Sequence, residues 1–314
     1  MSRVAVLGGG RSPEHDVSLR SAAAVVDALA EAGHEPVAIT IGRDGSWTGG
    51  GLPAHGSLAE GVALLATCDV AFPVLHGAPG EDGAIAALAD LAGLPVVGCP
   101  VLGSAIAMDK HASKAVAAAL GIGVARGLLL LPGEPVPPVV LPVVVKPTTA
   151  GSSVGVTVVT EAGRLADAVA AARAVGSAVL VESYVRGREV QVAVVERRDG
   201  SLTVPPMVEY AVEAGDVFDT SRKYDGTAVV RFPAEVDAAT GAALRAAAVR
   251  LFRALGCRGL SRFDFFVTAD GFLLNEVNTM PGMTPQSGFP RMCRAGGLDL
   301  PALVDELVAV ALQG

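Results

Sequence analysis

The chain has 314 residues, of which 51% are hydrophobic and only 18% are charged. This balance excludes intrinsic disorder, and the length is sufficient for two or three folded domains. Charged residues, glycine or proline interrupt every apolar run before it reaches about 18 residues, so we expect no membrane span. The net charge of −8 leaves no basic surface for a nucleic-acid backbone.

The first residues and the cysteines indicate the compartment. Residues 3–10 predict a buried strand followed by a glycine turn, which is not the pattern of a signal peptide. The four cysteines lie far apart and form no C-x-x-C pair, so neither a zinc site nor a disulfide framework is indicated. We therefore expect a reduced, cytoplasmic protein of the α/β class.

The first hundred residues alternate predicted strands with predicted helices. Apolar runs and helical spacing predict strands at 3–7, 36–41, 69–75 and 94–97, and helices at 17–32 and 82–92. Strands that alternate with helices form a parallel sheet with the helices wound against it. We expect this N-terminal lobe to span residues 1–98.

Two further lobes are predicted. The central lobe, 99–186, contains predicted helices at 104–120 and 161–175 and strands at 127–131, 141–146, 156–160 and 178–185. The C-terminal lobe, 187–314, contains antiparallel strands at 190–196, 202–210 and 229–233, helices at 236–255 and 300–312, and a hairpin at 259–279. The polar stretch 211–228 is long for a loop, and such loops are commonly functional lids.

Lysine is rare in this chain, with four lysines against twenty arginines. A sequence that uses arginine for generic surface charge keeps lysine where a compact ammonium is needed, although four ordinary surface lysines remain the alternative. Lys146 ends an apolar strand, and the glycines and serines of residues 148–155 follow it. Such a loop can bring backbone N–H groups close to a phosphate. The lysine precedes the glycines, so this is not a P-loop.

The predicted hairpin at 259–279 carries a candidate metal site. A three-residue turn at 269–271 pairs Asp264 with Glu276 and Arg262 with Asn278, and places all four on one face. Facing carboxylates repel each other unless a cation lies between them, and an all-oxygen set suits Mg²⁺. A two-residue turn would shift this register, and a solvated edge hairpin with scattered charge is the alternative.

The segments with the most distinctive residue combinations occur in a fixed order along the chain. They are G-G-R-S-P-E-H-D-V-S at 9–18, L-H-G-A-P-G-E-D-G at 75–83, M-D-K at 108–110, K-P at 146–147, G-S-S-V-G at 151–155, R-K-Y at 222–224, R-F-D at 262–264 and N-E-V-N-T-M-P-G-M-T at 275–284. Together they resemble the D-alanine–D-alanine ligase family of the ATP-grasp ligases over nearly the whole chain. The H-G-x-x-G-E-D-G and N-E-V-N-T-x-P-G stretches make the resemblance specific.

The resemblance implies a three-lobed ATP-grasp fold with ATP between the last two lobes. It also implies a reaction for peptidoglycan precursor synthesis, in which ATP phosphorylates the carboxylate of one D-alanine and the amine of a second displaces the phosphate. The implied cofactors are ATP, as a substrate, and two Mg²⁺ or Mn²⁺ ions. The implied partners are D-amino acids and a second copy in a homodimer, without nucleic acid or membrane.

The resemblance assigns roles to particular residues. Those matching ATP contacts are Lys110, Lys146, Ser152, Ser153, Glu182, Val185, Glu189, Lys223 and Asn275. Glu182 and Val185 match the adenine contacts, Glu189 the ribose contact, and Lys223 a loop lysine that closes over the γ-phosphate. The metal ligands are Asp264, Glu276 and Asn278. The substrate contacts are Glu14, Val17, His76, Arg262, Gly282, Ser287 and Gly288, and the catalytic set is Glu14, Ser152, Tyr224, Arg262 and Gly282.

Gly288 departs from the family, which usually carries a bulkier aliphatic residue or Met there. We expect the missing side chain to enlarge the acceptor site, so D-serine or a larger D-amino acid is the alternative second substrate, unless Phe289 or Met292 fills the gap. A catalytically inactive nucleotide-binding regulator is the non-enzymatic alternative, and the retention of Arg262 beside the metal set disfavours it. We expect Lys114 to be a solvated helix residue.

Overall fold

The computed structural model describes residues 1–176, 178–211 and 229–314. Lys223 and Tyr224, both in the predicted lid, lie outside the described residues. Within the described ranges, no helix combines the length and the apolar character that a membrane crossing requires.

The first sheet has the strand order β4-β3-β2-β1-β5. Its elements are β1 (Arg3–Gly9), α1 (His15–Glu31), β2 (Glu35–Ile41), β3 (Trp47–Gly49), β4 (Leu52–Gly56), α2 (Leu58–Leu65), β5 (Val70–Pro73) and α3 (Ala84–Leu91). β1 is parallel to both β2 and β5, as the alternation predicts. The antiparallel strands β3 and β4 were not predicted, because such short strands show almost no periodicity. The predicted strand at 94–97 is only an isolated bridge between Ala71 and Val96.

Two helices connect the first sheet to the second. They are α4 (Val101–Met108) and α5 (Lys110–Ala119), where the sequence predicted one continuous helix. Asp109 separates them, because its backbone is extended and its carboxylate accepts a hydrogen bond from the N–H of Ala112 at 2.8 Å, which starts α5.

The second sheet is antiparallel and has the order β6-β9-β7-β8. Its strands are β6 (Gly127–Leu130), β7 (Val143–Pro147), β8 (Thr157–Val159) and β9 (Val179–Ser183). A 3₁₀ turn at Ala162–Arg164 and helix α6 (Leu165–Val175) cover one face of the sheet and bury a separate apolar core.

The third sheet is also antiparallel and has the order β13-β12-β10-β14-β15, with β11 paired to β10. Its strands are β10 (Arg188–Glu196), β11 (Leu202–Thr203), β12 (Val208–Ala211), β13 (Val229–Arg231), β14 (Leu260–Thr268) and β15 (Gly271–Asn278). The remaining helices are α7 (Ala238–Ala254), α8 (Gly288–Ala295) and α9 (Leu300–Ala311). The predicted single strand at 202–210 is two strands, β11 and β12.

The hairpin of β14 and β15 differs from the prediction at its turn but keeps the predicted face. Gly271 pairs with Thr268, so the turn contains two residues instead of three. A β-bulge at Asn275 then inserts one extra residue into β15 and restores the pairing of Asp264 with Glu276. The two irregularities cancel, and the charged residues share one face as predicted.

The division into lobes at 1–98, 99–186 and 187–314 remains a prediction. Each sheet lies within one of these ranges. Helices α4 and α5 nevertheless pack against the third sheet, because Ala107 and Ala117 belong to the same buried cluster as Leu251 and Phe265. Helix α9 packs against α1 of the first lobe, and Leu307 shares a core with Val25.

Candidate active site

One face of the third sheet carries the charged residues, and the other packs against the core that contains Leu251. The register aligns Gln191 with Asp264, and Asp264 with Glu276, and paired residues point to the same side. Phe263 and Phe265 alternate with Asp264 along β14 and are fully buried on the opposite side. This alternation separates an apolar face from a polar face.

Asp264 is completely buried and is held by Arg262. The Arg262 Nε atom donates to Asp264 Oδ1 at 2.7 Å, and Nη2 donates to Oδ2 at 2.8 Å. The side-chain amides of Gln191 and Asn278 each lie 3.4 Å from the same Oδ2 atom. This bidentate contact fixes a guanidinium at the centre of the polar face.

Two lysines from outside the sheet reach this face. Lys110, at the start of α5, lies 3.4 Å from Glu276 Oε2 and donates to the carbonyl oxygen of Ala150 at 2.7 Å. Lys146, at the end of β7, lies 2.7 Å from Glu182 Oε2 and 3.4 Å from Asn275 Oδ1. Both ammonium groups therefore lie between the second and third sheets.

Lys114 was predicted to be a solvated helix residue, and that prediction is wrong. Its side chain is buried, and its ammonium donates to Glu182 Oε1. Lys114 follows Lys110 by four residues, so both lie on one face of α5. This spacing was the available signal in the sequence.

Burial and charge set the protonation of this cluster. Burial, and then the positive charge of Lys146, lower the pKa of Lys114 to about 7. Burial alone would favour neutral Glu182, but the charges of Lys146 and Lys114 outweigh it and lower the pKa of Glu182. Glu182 is therefore an ionised carboxylate between Lys146 and a lysine that titrates near neutral pH.

Replacing Lys114 by methionine will raise the KM for ATP about tenfold at pH 6. The resemblance implies that Lys146 binds a phosphate of ATP, and without Lys114 the whole charge of Glu182 pairs with Lys146, so we expect that binding to be weaker. Because the pKa of Lys114 is about 7, the wild-type KM will rise as pH increases through that value, and the two proteins will converge near pH ~8.5.

Steady-state ATP titrations at several pH values measure this effect. Lys114→Arg is the matched control, because arginine keeps its charge and will hold the ATP KM low at high pH as well. An unchanged KM in Lys114→Met at pH ~6 would show that Lys114 does not influence Lys146.

The small-residue loop after β7 reaches the first lobe. Ser152 donates a hydrogen bond to Glu14 Oε1, and a Cβ added to Gly151 would lie only 2.8 Å from Glu14 Oε2. Ser152 and Ser153 have φ angles of 46° and 59°, in the left-handed region that is unfavourable for residues other than glycine. Glu14, Ser152 and Ser153 are thus brought together, in a strained backbone of the kind that is common at functional sites.

His76 fastens the first lobe to residues 280–283, which follow β15. His76 Nδ1 lies 3.0 Å from the carbonyl oxygen of Met280, and Nε2 lies 3.3 Å from the Ser21 hydroxyl. Ser21 in turn accepts from the N–H of Met283 at 3.2 Å. Burial lowers the pKa of His76, and the negative charge of Glu14 only partly opposes this shift.

Glu81 forms a second connection at this junction, and no role was predicted for it although it lies in the H-G-x-x-G-E-D-G stretch. Its carboxylate accepts from the N–H of Gly77 at 2.8 Å and from the N–H of Met280 at 3.3 Å. Burial raises the pKa of Glu81 to about 7, and the hydrogen bond from Gly77 partly opposes that shift.

The stability of the wild type will fall relative to that of Glu81→Gln as pH rises from about 5 to about 8. The folded state raises the pKa of Glu81 from 4.5 to about 7. The contribution of the protonated carboxyl group to the free energy of unfolding is therefore complete below pH 4.5 and is lost as pH rises through 7. The full difference amounts to up to about 3 kcal/mol. Urea unfolding at a series of pH values measures it, and a difference that does not vary with pH would contradict the expectation.

The predicted contacts to the second substrate lie around the start of α8. Ser287 precedes this helix, and its hydroxyl lies 2.7 Å from that of Thr284. A Cβ added to Gly282 would lie 3.0 Å from Ser287 Oγ, so Gly282 allows these two segments to approach closely. Phe289 and Met292 are both buried, in the core that also contains Val25 and Leu307.

The remaining predicted site residues lie on neighbouring elements. Glu189, at the start of β10, is buried and accepts from Gln191 Nε2 at 3.2 Å. Val185 lies in the connection between β9 and β10, and Val17 lies in the first turn of α1, three residues after Glu14.

The candidate metal ligands form a set of oxygen donors. Asp264 and Glu276 face each other across the ladder, and Asn278 adds a carboxamide. In the part of the chain that the structure describes, no group of three or more His, Cys, Asp or Glu side chains could hold a metal. Two carboxylates and an amide suit a hard cation that also keeps water and phosphate oxygens as ligands.

Two antiparallel sheets enclose buried lysines, and the β14–β15 hairpin of one sheet carries Asp264 and Glu276. This arrangement defines an ATP-grasp protein. Family models described as "D-ala D-ala ligase N-terminus" and "D-ala D-ala ligase C-terminus" match residues 3–99 and 134–309. The chain belongs to the D-alanine–D-alanine ligase family.

Individual relatives agree with this assignment. The chain is 42% identical over 356 aligned positions to a D-alanine–D-alanine ligase of Rhodococcus jostii, covering 99% of this chain and 97% of the relative. It is also similar to the D-alanine–D-alanine ligase of Bacillus anthracis complexed with ATP, with a TM-score of 0.83, 25% identity and coverage of 100% and 98%. The VanG D-Ala:D-Ser ligase of Enterococcus faecalis gives a TM-score of 0.82 with 29% identity and coverage of 98% and 99%.

Proposed function

We propose that the chain joins two D-alanines into D-alanyl-D-alanine with ATP, as a cytoplasmic enzyme of peptidoglycan precursor synthesis. One observation carries the proposal beyond family membership. The Glu14 carboxylate and the Arg262 guanidinium both lie close enough to His76 to shift its pKa in opposite directions, and Ser152 joins Glu14 to the small-residue loop. A carboxylate and a guanidinium near the same residue support a site for the ammonium and carboxylate of one amino acid.

The first step is phosphoryl transfer. A carboxylate oxygen of the first D-alanine attacks the γ-phosphorus, the bond to the β,γ-bridging oxygen breaks, and ADP leaves. Lys110 and Lys146 hold phosphate oxygens, and the serines and backbone N–H groups of the small-residue loop donate to the same groups. Glu182, Val185 and Glu189 bind the nucleoside.

The second step forms the amide bond. The amine of the second D-alanine attacks the acyl-phosphate carbon, the carbon–oxygen bond to phosphate breaks, and the departing phosphate takes up the proton that the amine loses. Arg262 and the N–H of Gly282 stabilise the oxyanion, while Ser287 binds the carboxylate of the second substrate. The lobes that meet here exclude water, which would hydrolyse an acyl phosphate.

Asp264, Glu276 and Asn278 are the residues that would hold two Mg²⁺ or Mn²⁺ ions, since all three supply oxygen atoms on one face. Bound there, the ions supply positive charge that offsets the charge of the phosphates. A homodimer and the three-lobe division at residues 98 and 186 also belong to this proposal.

Phosphate release with D-alanine as the only amino acid tests the proposal. Release that depends on ATP and D-alanine, with D-alanyl-D-alanine identified by mass spectrometry, is the expected result. A panel with D-serine and larger D-amino acids as second substrates tests the alternative acceptor. Nucleotide binding without phosphate release on any D-amino acid would instead support the inactive regulator.

A further inference from the structure

Gly288, the first residue of α8, has no side chain where it faces the third sheet. A Cβ built on it would lie 3.3 Å from Gln191 Oε1 and 3.4 Å from the Tyr210 hydroxyl. The Val208 Cγ1 atom lies 3.9 Å away. Three side chains from the sheet therefore occupy the space that a larger residue at position 288 would need.

The strand register explains why these side chains meet at Gly288. Tyr210 pairs with Glu189, and Val208 pairs with Gln191, which itself pairs with Asp264. Tyr210 is therefore on the polar face of the sheet, beside the residues of the candidate active site. Its ring packs against the core that contains Phe289, the residue after Gly288.

Resting on the proposed ligase function, we propose that Tyr210 closes the second-substrate site beside Gly288 and restricts it to an acceptor with a small side chain, such as the methyl group of D-alanine. Ser287, which precedes Gly288, places this wall next to the proposed contact with the acceptor carboxylate. A large residue on β12 thus fills the volume that a large residue on α8 would otherwise fill. Acceptor selectivity is then a joint property of positions 210 and 288.

Two single substitutions are expected to change the volume of the second-substrate site in opposite directions. Tyr210→Val removes the wall, so discrimination between D-alanine and D-2-aminobutyrate as acceptors will fall about tenfold, in the range that one or two methylenes provide. Gly288→Leu overfills the site, because even its Cβ would be crowded, and the acceptor KM for D-alanine will rise about tenfold or more.

The double variant Tyr210→Val/Gly288→Leu is the decisive protein. It exchanges the large and small positions, so both D-alanine affinity and discrimination against D-2-aminobutyrate will return to within about threefold of the wild type. Tyr210→Phe is the matched control, because it keeps the ring and removes only the hydroxyl, and it will retain the selectivity. Thermal unfolding of all four variants reports the same packing without turnover, and the double variant will be more stable than Gly288→Leu.

Three results would overturn this inference. The wild type could use D-2-aminobutyrate as well as D-alanine, or Tyr210→Phe could lose selectivity as Tyr210→Val does. The effects of the two single substitutions could also simply add in the double variant. Each of these requires an active wild type. A wild type that releases no phosphate with any D-amino acid would reject the proposed function itself, so the two failures are distinguishable.

Discussion

Replacing Glu276 by glutamine will lower kcat by about 10²- to 10³-fold and leave the fold intact. Glu276 is one of two carboxylates that face each other across the hairpin, and it lies 3.4 Å from the Lys110 ammonium. Removing its charge weakens the proposed binding of cations beside the phosphates. The side chain remains 27% exposed, so the free energy of unfolding will change little.

Phosphate release at saturating Mg²⁺ measures the loss, and Mn²⁺ titration followed by electron paramagnetic resonance measures cation binding directly. Glu161→Gln is the matched control, because Glu161 is exposed and lies before α6, away from the hairpin. Turnover in Glu276→Gln equal to that of the wild type would remove the hairpin from the mechanism.

Replacing Arg262 by methionine will reduce both turnover and stability. Asp264 has no solvent exposure, and it would lose the two guanidinium hydrogen bonds of 2.7 and 2.8 Å. Breaking a buried pair in this way costs about 3–5 kcal/mol, and we expect the lower end because the amides of Gln191 and Asn278 remain near Oδ2. Because Arg262 is the proposed partner of the oxyanion, we also expect kcat to fall by about 10²- to 10³-fold.

A second substitution separates these two effects. Asp264→Asn in the Arg262→Met background removes the uncompensated charge, so stability measured by urea unfolding will recover while turnover will not. Arg262→Lys keeps a positive charge without the planar fork, and it will retain more stability than Arg262→Met. A double variant as unstable as Arg262→Met would show that the ion pair does not determine the loss.

The sequence correctly predicted features that depend on local periodicity. The parallel pairing of β1 with β2 and β5 follows from alternating strands and helices. The charged face of the hairpin follows from the two-residue period of a strand, although the predicted turn was one residue too long. Turn length is a poor guide to register wherever a bulge can compensate, and only the tertiary structure showed the bulge at Asn275.

Contacts between distant parts of the chain were decided by the tertiary structure. Lys114 and Glu182 are 68 positions apart, so the spacing of Lys110 and Lys114 shows that they share a helix face but not which carboxylate pairs with Lys114. Glu81 and Met280 are 199 positions apart, so the hydrogen bond that joins the first lobe to the residues after β15 has no local signature.

The contrast is clearest at Gly288. The sequence by itself determined that a side chain is missing from this position, together with the residue types and strand alternation that create the polar face. Which atoms occupy the resulting space depends on how α8 packs against β10 and β12, and there Tyr210 and Gln191 lie next to the missing side chain. Close packing depends on all the neighbouring side chains together, so a residue on a strand nearly eighty positions earlier can fill volume lost at one position. No local pattern in the sequence indicates such a distant neighbour.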